Sequence, residues 1–230
     1  MTTKTQLDLR MQTGYPNTTP TKNLGFDKAD LELFMEGRMV SRYFGTTEKG
    51  TINPREFYSA ELSEDIQKIC TIKTMRDNLD IYMYDKEKGY YQPYGKQLLR
   101  ELIKRALGDL YTEGNATATI NDLTASTGVD RESLEPPLHL SAVRNGLVNI
   151  STDKPTLTGH TSAMFFTGAL PVEYYPENEE PKVFLKFLEQ ILPDANSRAQ
   201  VQEMFGYCLW REYPYQVAFL LVGAGNNGRS

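Results

Sequence analysis

Val217-Ala218-Phe219-Leu220-Leu221-Val222, followed at once by Gly223-Ala224-Gly225-Asn226-Asn227-Gly228-Arg229-Ser230, is the stretch that sets the expected architecture. The apolar run has the length and character of a strand buried on both faces of a parallel sheet. The residues after it fit the spacing G-x-x-x-x-G-basic-S. In such a loop, glycines let successive backbone N–H groups converge on phosphate oxygens, the basic side chain reaches the outer phosphates, and the hydroxyl helps to hold magnesium. Gly223, Gly225, Asn227, Gly228, Arg229 and Ser230 are therefore the candidate nucleotide-binding residues, with Ser230 the candidate magnesium contact through the nucleotide. Lysine usually stands where Arg229 stands; guanidinium keeps the charge but is planar and larger, so the contact geometry changes. A glycine-rich turn leaving a strand is the plain alternative.

Upstream of that strand the pattern is helical. Pro181 opens a helix with Phe184, Leu185, Leu188, Ile191 and Leu192 on one side. A second helix follows, its start marked by a Ser197 and Gln200 capping box, its buried face by Val201, Met204, Phe205, Cys208 and Leu209, and its end by Pro214. Further back, Phe165 to Tyr175 reads as extended. Val143 to Ile150, containing Asn145-Gly146, and Thr156 to Thr158 read as a hairpin or small sheet. Thr119 to Leu134 reads as two short helices around Gly128. Leu99, Leu102, Ile103, Ala106 and Leu110 form one stripe of a helix over Lys96 to Tyr111, with Gly114 as its stop. Leu79 to Tyr84 and Tyr90 to Gln92 read as a hairpin. Asn53-Pro54 reads as the start of a helix reaching Cys70, and Asp27 as the cap of one reaching about Tyr43. The domain plan is a flexible tail over 1–25, an α+β domain over 26–175, and a helical lead-in with the first strand and loop over 176–230.

Composition narrows the class. With 40% apolar and 24% charged residues the chain is that of an ordinary folded protein. A net charge of −5 excludes a broad basic coat, so any nucleic-acid contact rests on a local patch or a multimeric channel. Cys70 and Cys208 sit among apolar residues of helical pattern and read as reduced core thiols. His139 and His160 lack zinc-site spacing, so no metal held by protein ligands alone is expected. The first residues lack a signal-peptide core, and the apolar run is far short of the ~20 residues of a membrane helix. A soluble, cytoplasmic protein without a membrane partner is expected.

Three further constellations bear on nucleic acid. Lys96, Arg100, Lys104 and Arg105 lie largely on the polar side of their helix and form the best local candidate for a DNA-facing patch, although such rows are usually solvated faces. Tyr82, Tyr84, Tyr90, Tyr91 and Tyr94 offer a stacking platform, or simply alternate between core and surface. Thr119 to Asp130 has a helix-turn-helix entry pattern, but Asp130, Glu132 and Glu135 against Arg131 would repel phosphate, so a small helical packing unit is the better reading.

The terminal loop resembles the G-x-G-x-N-G-K-S loop of superfamily-three helicases of the phage, plasmid and poxvirus primase-helicase type. Ile81-Tyr82-Met83-Tyr84 with Gly89-Tyr90-Tyr91, Arg144-Asn145-Gly146-Leu147, Leu170-Pro171-Val172-Glu173-Tyr174 and Gln202-Glu203-Met204-Phe205-Gly206-Tyr207 resemble that family in order and spacing, over roughly 26 to 230. The resemblance implies an α+β, collar-like helical domain with small hairpins, followed by a helical lead-in and the first strand of a truncated α/β P-loop ATPase domain. It also implies a DNA-unwinding hexameric ring that uses ATP with magnesium. The expected function is the N-terminal fragment of an ATP-dependent replicative DNA helicase of a virus, phage or plasmid. The chain departs from the family in Arg229, and the family's acidic motif, sensor and arginine finger are not present, so no catalytic residue is named and negligible turnover is expected of the chain alone. The alternative is a non-enzymatic DNA-binding or oligomerisation module with an incidental glycine-rich terminus.

Overall fold

The computed structural model describes residues 40–152, 154–177, 180–211, 215–220 and 222. After a 3-10 turn at Val40–Tyr43 come strands β1 (Phe44–Thr46) and β2 (Ile52–Phe57), helix α1 (Ser59–Ile69), and strands β3 (Ile72–Met75), β4 (Ile81–Asp85) and β5 (Tyr90–Gln92). Helices α2 (Gly95–Leu107) and α3 (Glu113–Ser126) then lead to β6 (Gly128–Val129). Strands β7 (Leu140–Val143), β8 (Gly146–Asn149) and β9 (Thr156–Thr158) and helices α4 (Lys182–Ile191) and α5 (Ala195–Cys208) complete the described elements. The fold is α+β.

The main sheet has the order β5-β4-β3-β6, antiparallel except that β6 runs parallel to β3. Its strands alternate: Ile81, Met83 and Asp85 are buried, whereas Tyr82 and Tyr84 point to the other face and are half-buried. Ile81 and Met83 join Ile72, Leu62 and Ile66 of α1, the α2 stripe Leu98, Leu99, Leu102, Ile103, Ala106 and Leu107, and Ala116, Ile120 and Leu123 of α3 in one core. The helical spacing of the α2 residues turns all of them to one side, so one helix supplies the largest share of the apolar layer. Gly95 permits its approach, because a Cβ there would lie 2.4 Å from the Ile81 carbonyl oxygen.

Helix ends are set by different residues from those the sequence suggested. Gly108, with φ of 52°, ends α2; the expected stop, Gly114, lies in the first turn of α3. Thr112 caps α3 by accepting from the Asn115 N–H at 3.1 Å. The two short helices expected around Gly128 are one helix followed by β6. Thr74 N–H donates to the Thr127 carbonyl at 2.9 Å and Arg76 N–H to that of Val129 at 3.1 Å, so pairing with β3 takes over where the second helix was expected.

Asn53-Pro54 is not a helix start. It lies in β2, whose register against β1 slips between Phe44 and Gly45; an irregular two-stranded ribbon tolerates a proline that a regular inner strand would not. Of the helix expected from Asp27, residues 27–39 lie outside the described residues, as does the expected tail, and Val40–Tyr43 is the 3-10 turn.

The second sheet, β7-β8-β9, is antiparallel, with Arg144-Asn145 turning between its first two strands. Asn145 fastens the following extended segment: its amide donates to the Tyr174 carbonyl at 2.8 Å and its side-chain oxygen accepts from Tyr174 N–H at 3.0 Å. Tyr91 N–H donates to the Phe166 carbonyl at 2.7 Å and so ties the two sheets together.

Helix α5 is capped by Asp194, which accepts from the Ser197 N–H at 2.8 Å, and not by the Ser197 and Gln200 box. Its expected buried face is not buried: Val201 and Met204 are half-buried, while Phe205, Cys208 and Leu209 are exposed. Val217 to Leu220 and Val222 form no strand, and Leu220 is 86% exposed; a strand buried on both faces needs neighbours on both sides, and no described residue pairs with it. Leu221 and the expected stop Pro214 lie outside the described residues.

Leu99→Ala should lower the stability of the domain by about 2–5 kcal/mol, read by urea unfolding followed by circular dichroism. Gly95→Ala should also destabilise it, since the Ile81 backbone leaves no room for a methyl group. Near-wild-type midpoints would show that α2 is not the centre of the core.

Candidate functional site

The α2 cations occupy the helix face turned away from the core. Lys96, Arg100 and Lys104 recur at four-residue intervals and so form a row, with Arg105 beside its end. Lys96, Lys104 and Arg105 are exposed and Arg100 is half-buried. Arg100 Nε lies 3.5 Å from a Glu113 carboxylate oxygen, which offsets part of its charge. Lys104 and Arg105 stand in the last turn, where they also complement the negative end of the helix dipole. The patch is thus a mixed one, with Lys96 and Lys104 at its two ends most open to a phosphate.

The tyrosines divide by burial. Tyr91 is 0% exposed and its hydroxyl donates to the Ser162 carbonyl at 2.6 Å. Its ring centroid is 5.1 Å from that of Tyr84 and 4.9 Å from that of Phe165, which also lies 5.1 Å from Tyr82. Burial, then the Tyr84 phenol, pushes the Tyr91 hydroxyl well above the usual tyrosine range. The Lys73 ammonium lies 5.7 Å from the Tyr91 ring centre, and burial holds its pKa below the ordinary lysine value. These rings are spent on packing between the main sheet and the 161–166 segment. Tyr94, 50% exposed, is the most open of the five, and Tyr90 is half-buried.

The helix-turn-helix pattern is contradicted: after β6 only a 3-10 turn, Arg131–Leu134, follows, too short to enter a groove. Its one cation is committed, because Arg131 Nε lies 2.9 Å from an Asp77 oxygen, while Arg76 and Asp130 pair at 2.7 Å. These reciprocal ion pairs lock the turn to the end of β3. The hydrogen bond from Arg131 is the main cause that holds the Asp77 carboxyl below its usual range.

The candidate nucleotide residues Gly223, Gly225, Asn227, Gly228, Arg229 and Ser230 all lie outside the described residues. The chain approaching them is packed against α5: Tyr207 donates to the Tyr215 carbonyl at 2.6 Å and its ring lies 6.2 Å from that of Phe219. Among the described residues no group of His, Cys, Asp and Glu side chains could hold a metal ion, and no helix is long and apolar enough to cross a membrane. Cys70 is buried, which pushes its thiol up, whereas Cys208 is exposed and is not the core thiol the sequence suggested. Sequence reasoning missed Lys73, Phe165, Phe166 and Arg211, whose partners lie far along the chain and leave no local signal.

The described residues define an α+β domain whose core helix α2 carries a cationic outer face, followed by the helices α4 and α5. The sequence profile of the D5 N-terminal-like family matches residues 60–193, from the start of α1 to the end of α4. No curated protein sequence matches the chain. The chain belongs to the D5 N-terminal-like family, the N-terminal part of phage and viral primase-helicases of the D5 type.

Arg131→Ala should raise the Asp77 carboxyl toward the ordinary aspartate range, read by NMR titration. The stabilisation the pair gives is present above that range and fades as pH falls through the depressed Asp77 midpoint. An unchanged Asp77 midpoint in the variant would show that the ion pair does not form in solution.

Proposed function

We propose that the chain is part of an ATP-dependent replicative DNA helicase of the superfamily-three, primase-helicase type, with residues 26 to 175 as a collar and 176 to 230 leading into the motor. The observation that carries the reading is the conjunction of a phosphate-loop pattern at Gly223 to Ser230 with a D5 N-terminal-like match over residues 60–193 upstream of it. ATP with magnesium is the ligand at Gly223, Gly225, Asn227, Gly228, Arg229 and Ser230, which bind and orient phosphates; the chemistry of hydrolysis needs residues beyond these. The row Lys96, Arg100, Lys104 and Arg105 is the collar's DNA contact, supported by its spacing and exposure. Self-association into a ring, a hexamer in the parent protein, is supported by the apolar faces that α4 and α5 leave open. The protein would then act at a site of viral, phage or plasmid DNA replication inside the host cell.

Two measurements test this. Magnesium-ATP should bind the chain, and Arg229→Ala with Ser230→Ala should weaken it by about tenfold or more, since charged hydrogen bonds to phosphate are lost; Arg229→Lys should keep it. Absence of binding in the wild type would favour the non-enzymatic module with an incidental glycine-rich terminus. Lys96→Glu with Lys104→Glu should weaken single-stranded DNA binding and flatten its salt dependence by roughly 1.4 in log–log slope, the share of two phosphate contacts. Unchanged binding would remove α2 from the interface.

A further inference from the structure

Arg211 lies just beyond α5, on the stretch of chain that runs toward Gly223. Its guanidinium reaches back across the molecule. Nη2 donates to the Pro136 carbonyl at 2.7 Å and also to the Pro137 carbonyl, and the planar group lies 5.2 Å from the centre of the Phe166 ring. Each partner is itself fixed. The Pro137 carbonyl also accepts from Leu140 N–H at 3.0 Å, at the start of β7. Phe166 is buried with Leu140, Ala142 and Leu147, and its carbonyl accepts from Tyr91 of the main sheet. Nη2 alone donates to both neutral carbonyls, a role an ammonium can share, whereas the planar group laid against the Phe166 ring is a contact an ammonium cannot reproduce. No carboxylate forms an ion pair with Arg211 among the described residues. Burial holds its pKa below the ordinary arginine value, with the Glu135 carboxylate opposing, as expected of a cation held for its shape.

We infer that Arg211 is a positioning residue that ties the end of α5 to the Pro136–Pro137 carbonyls and the Phe166 ring, fixing the direction in which the chain leaves the α+β domain toward the glycine-rich loop. The contact unites parts of the sequence more than seventy residues apart. It joins the end of α5 to the segment before β7 and to Phe166, although the apolar side chains of α4 and α5 remain open. Its functional meaning rests on the nucleotide-binding reading of Gly223 to Ser230: a loop that works against a collar must be held at a set angle to it, and the tie through Arg211 supplies that reference.

The test uses a reporter already present. Trp210 is the chain's lone tryptophan, adjoins Arg211, and is 38% exposed. Quenching of its fluorescence by acrylamide, a neutral quencher, is measured in the wild-type chain, Arg211→Ala and Arg211→Lys, beside thermal unfolding by circular dichroism. In Arg211→Ala the quenching constant should rise by about twofold and the anisotropy fall, while Arg211→Lys restores less than about half of the change. The melting temperature should stay within about 2 °C in both variants, since a surface tie adds little to the core. Unchanged quenching in Arg211→Ala, or full restoration by lysine, would overturn the inference. So would a melting temperature that falls beyond that margin, because Arg211 would then support the core rather than aim the chain. The readout contains no nucleotide, so its outcome does not depend on whether ATP binds.

Discussion

The seating of α2 on β3 and β4 is the interaction on which the rest of the domain depends. Leu99, Leu102 and Ile103 are almost wholly removed from water, and Gly95 lets the helix start against the Ile81 backbone. Loss of any one of these apolar side chains costs an appreciable share of the ~5–15 kcal/mol by which a domain is stable. Once α2 is seated, α1 and α3 close the same apolar layer from its sides, and the chain leaving α3 falls beside β3 to form β6. The hairpin β4–β5 then presents its other face, with Tyr82, Tyr84 and Tyr91, to Phe165, while Tyr90 packs against Leu140, Ala142 and Leu147 of the second sheet and Phe166.

Polar groups reinforce this order where burial alone would leave charge stranded. Asp65, buried in α1, is met by Tyr43 at 3.1 Å, Arg42 at 3.2 Å and Lys68 at 2.7 Å, so the turn before β1 is fastened to the first helix. Desolvation, then the Asp65 charge, pushes the Tyr43 hydroxyl far above the usual tyrosine range, consistent with a phenol that serves as a donor to that carboxylate. Among the described residues, α4 and α5 hold no buried carboxylate of this kind. Their apolar side chains, among them Phe184, Phe187 and Phe205, remain about half exposed, and the pair is joined to the domain through Arg211. A surface of that kind is where a folded protein meets another surface.

What the sequence disclosed follows the range of the forces involved. The β4–β5 hairpin and the α2 stripe were legible because periodicity and turn chemistry are local. Asn145-Gly146, expected within a strand over Val143 to Ile150, instead marks the turn from β7 into β8, since Leu140–Val143 pairs back on Gly146–Asn149. Asn53-Pro54 misled because a proline at a helix start and one in an irregular edge ribbon look alike until the partner strand is known. Gly108 and Gly114 differ only in backbone conformation, and β6 exists only because β3 offers an open edge, so neither was visible beforehand. The stripe on α5 was read correctly as apolar; its burial was not, since burial needs a covering layer that no described residue supplies. At the candidate site, the α2 row was legible from four-residue spacing, while its partial neutralisation by Glu113 and the spending of Tyr91 on the core came from contacts distant in sequence. The phosphate loop was read from pattern alone and lies outside the described residues.

Native-state hydrogen exchange tests this division most directly. If the α2 layer is the centre of the fold, amides of Leu99 to Ile103 and of Leu123 exchange only through global unfolding, with the denaturant dependence of the whole domain. Amides of α4 and α5 then exchange through local openings of much lower free energy and little denaturant dependence. Protection in α4 and α5 equal to that in α2 would contradict the account, because the two helices would then belong to the same cooperative core.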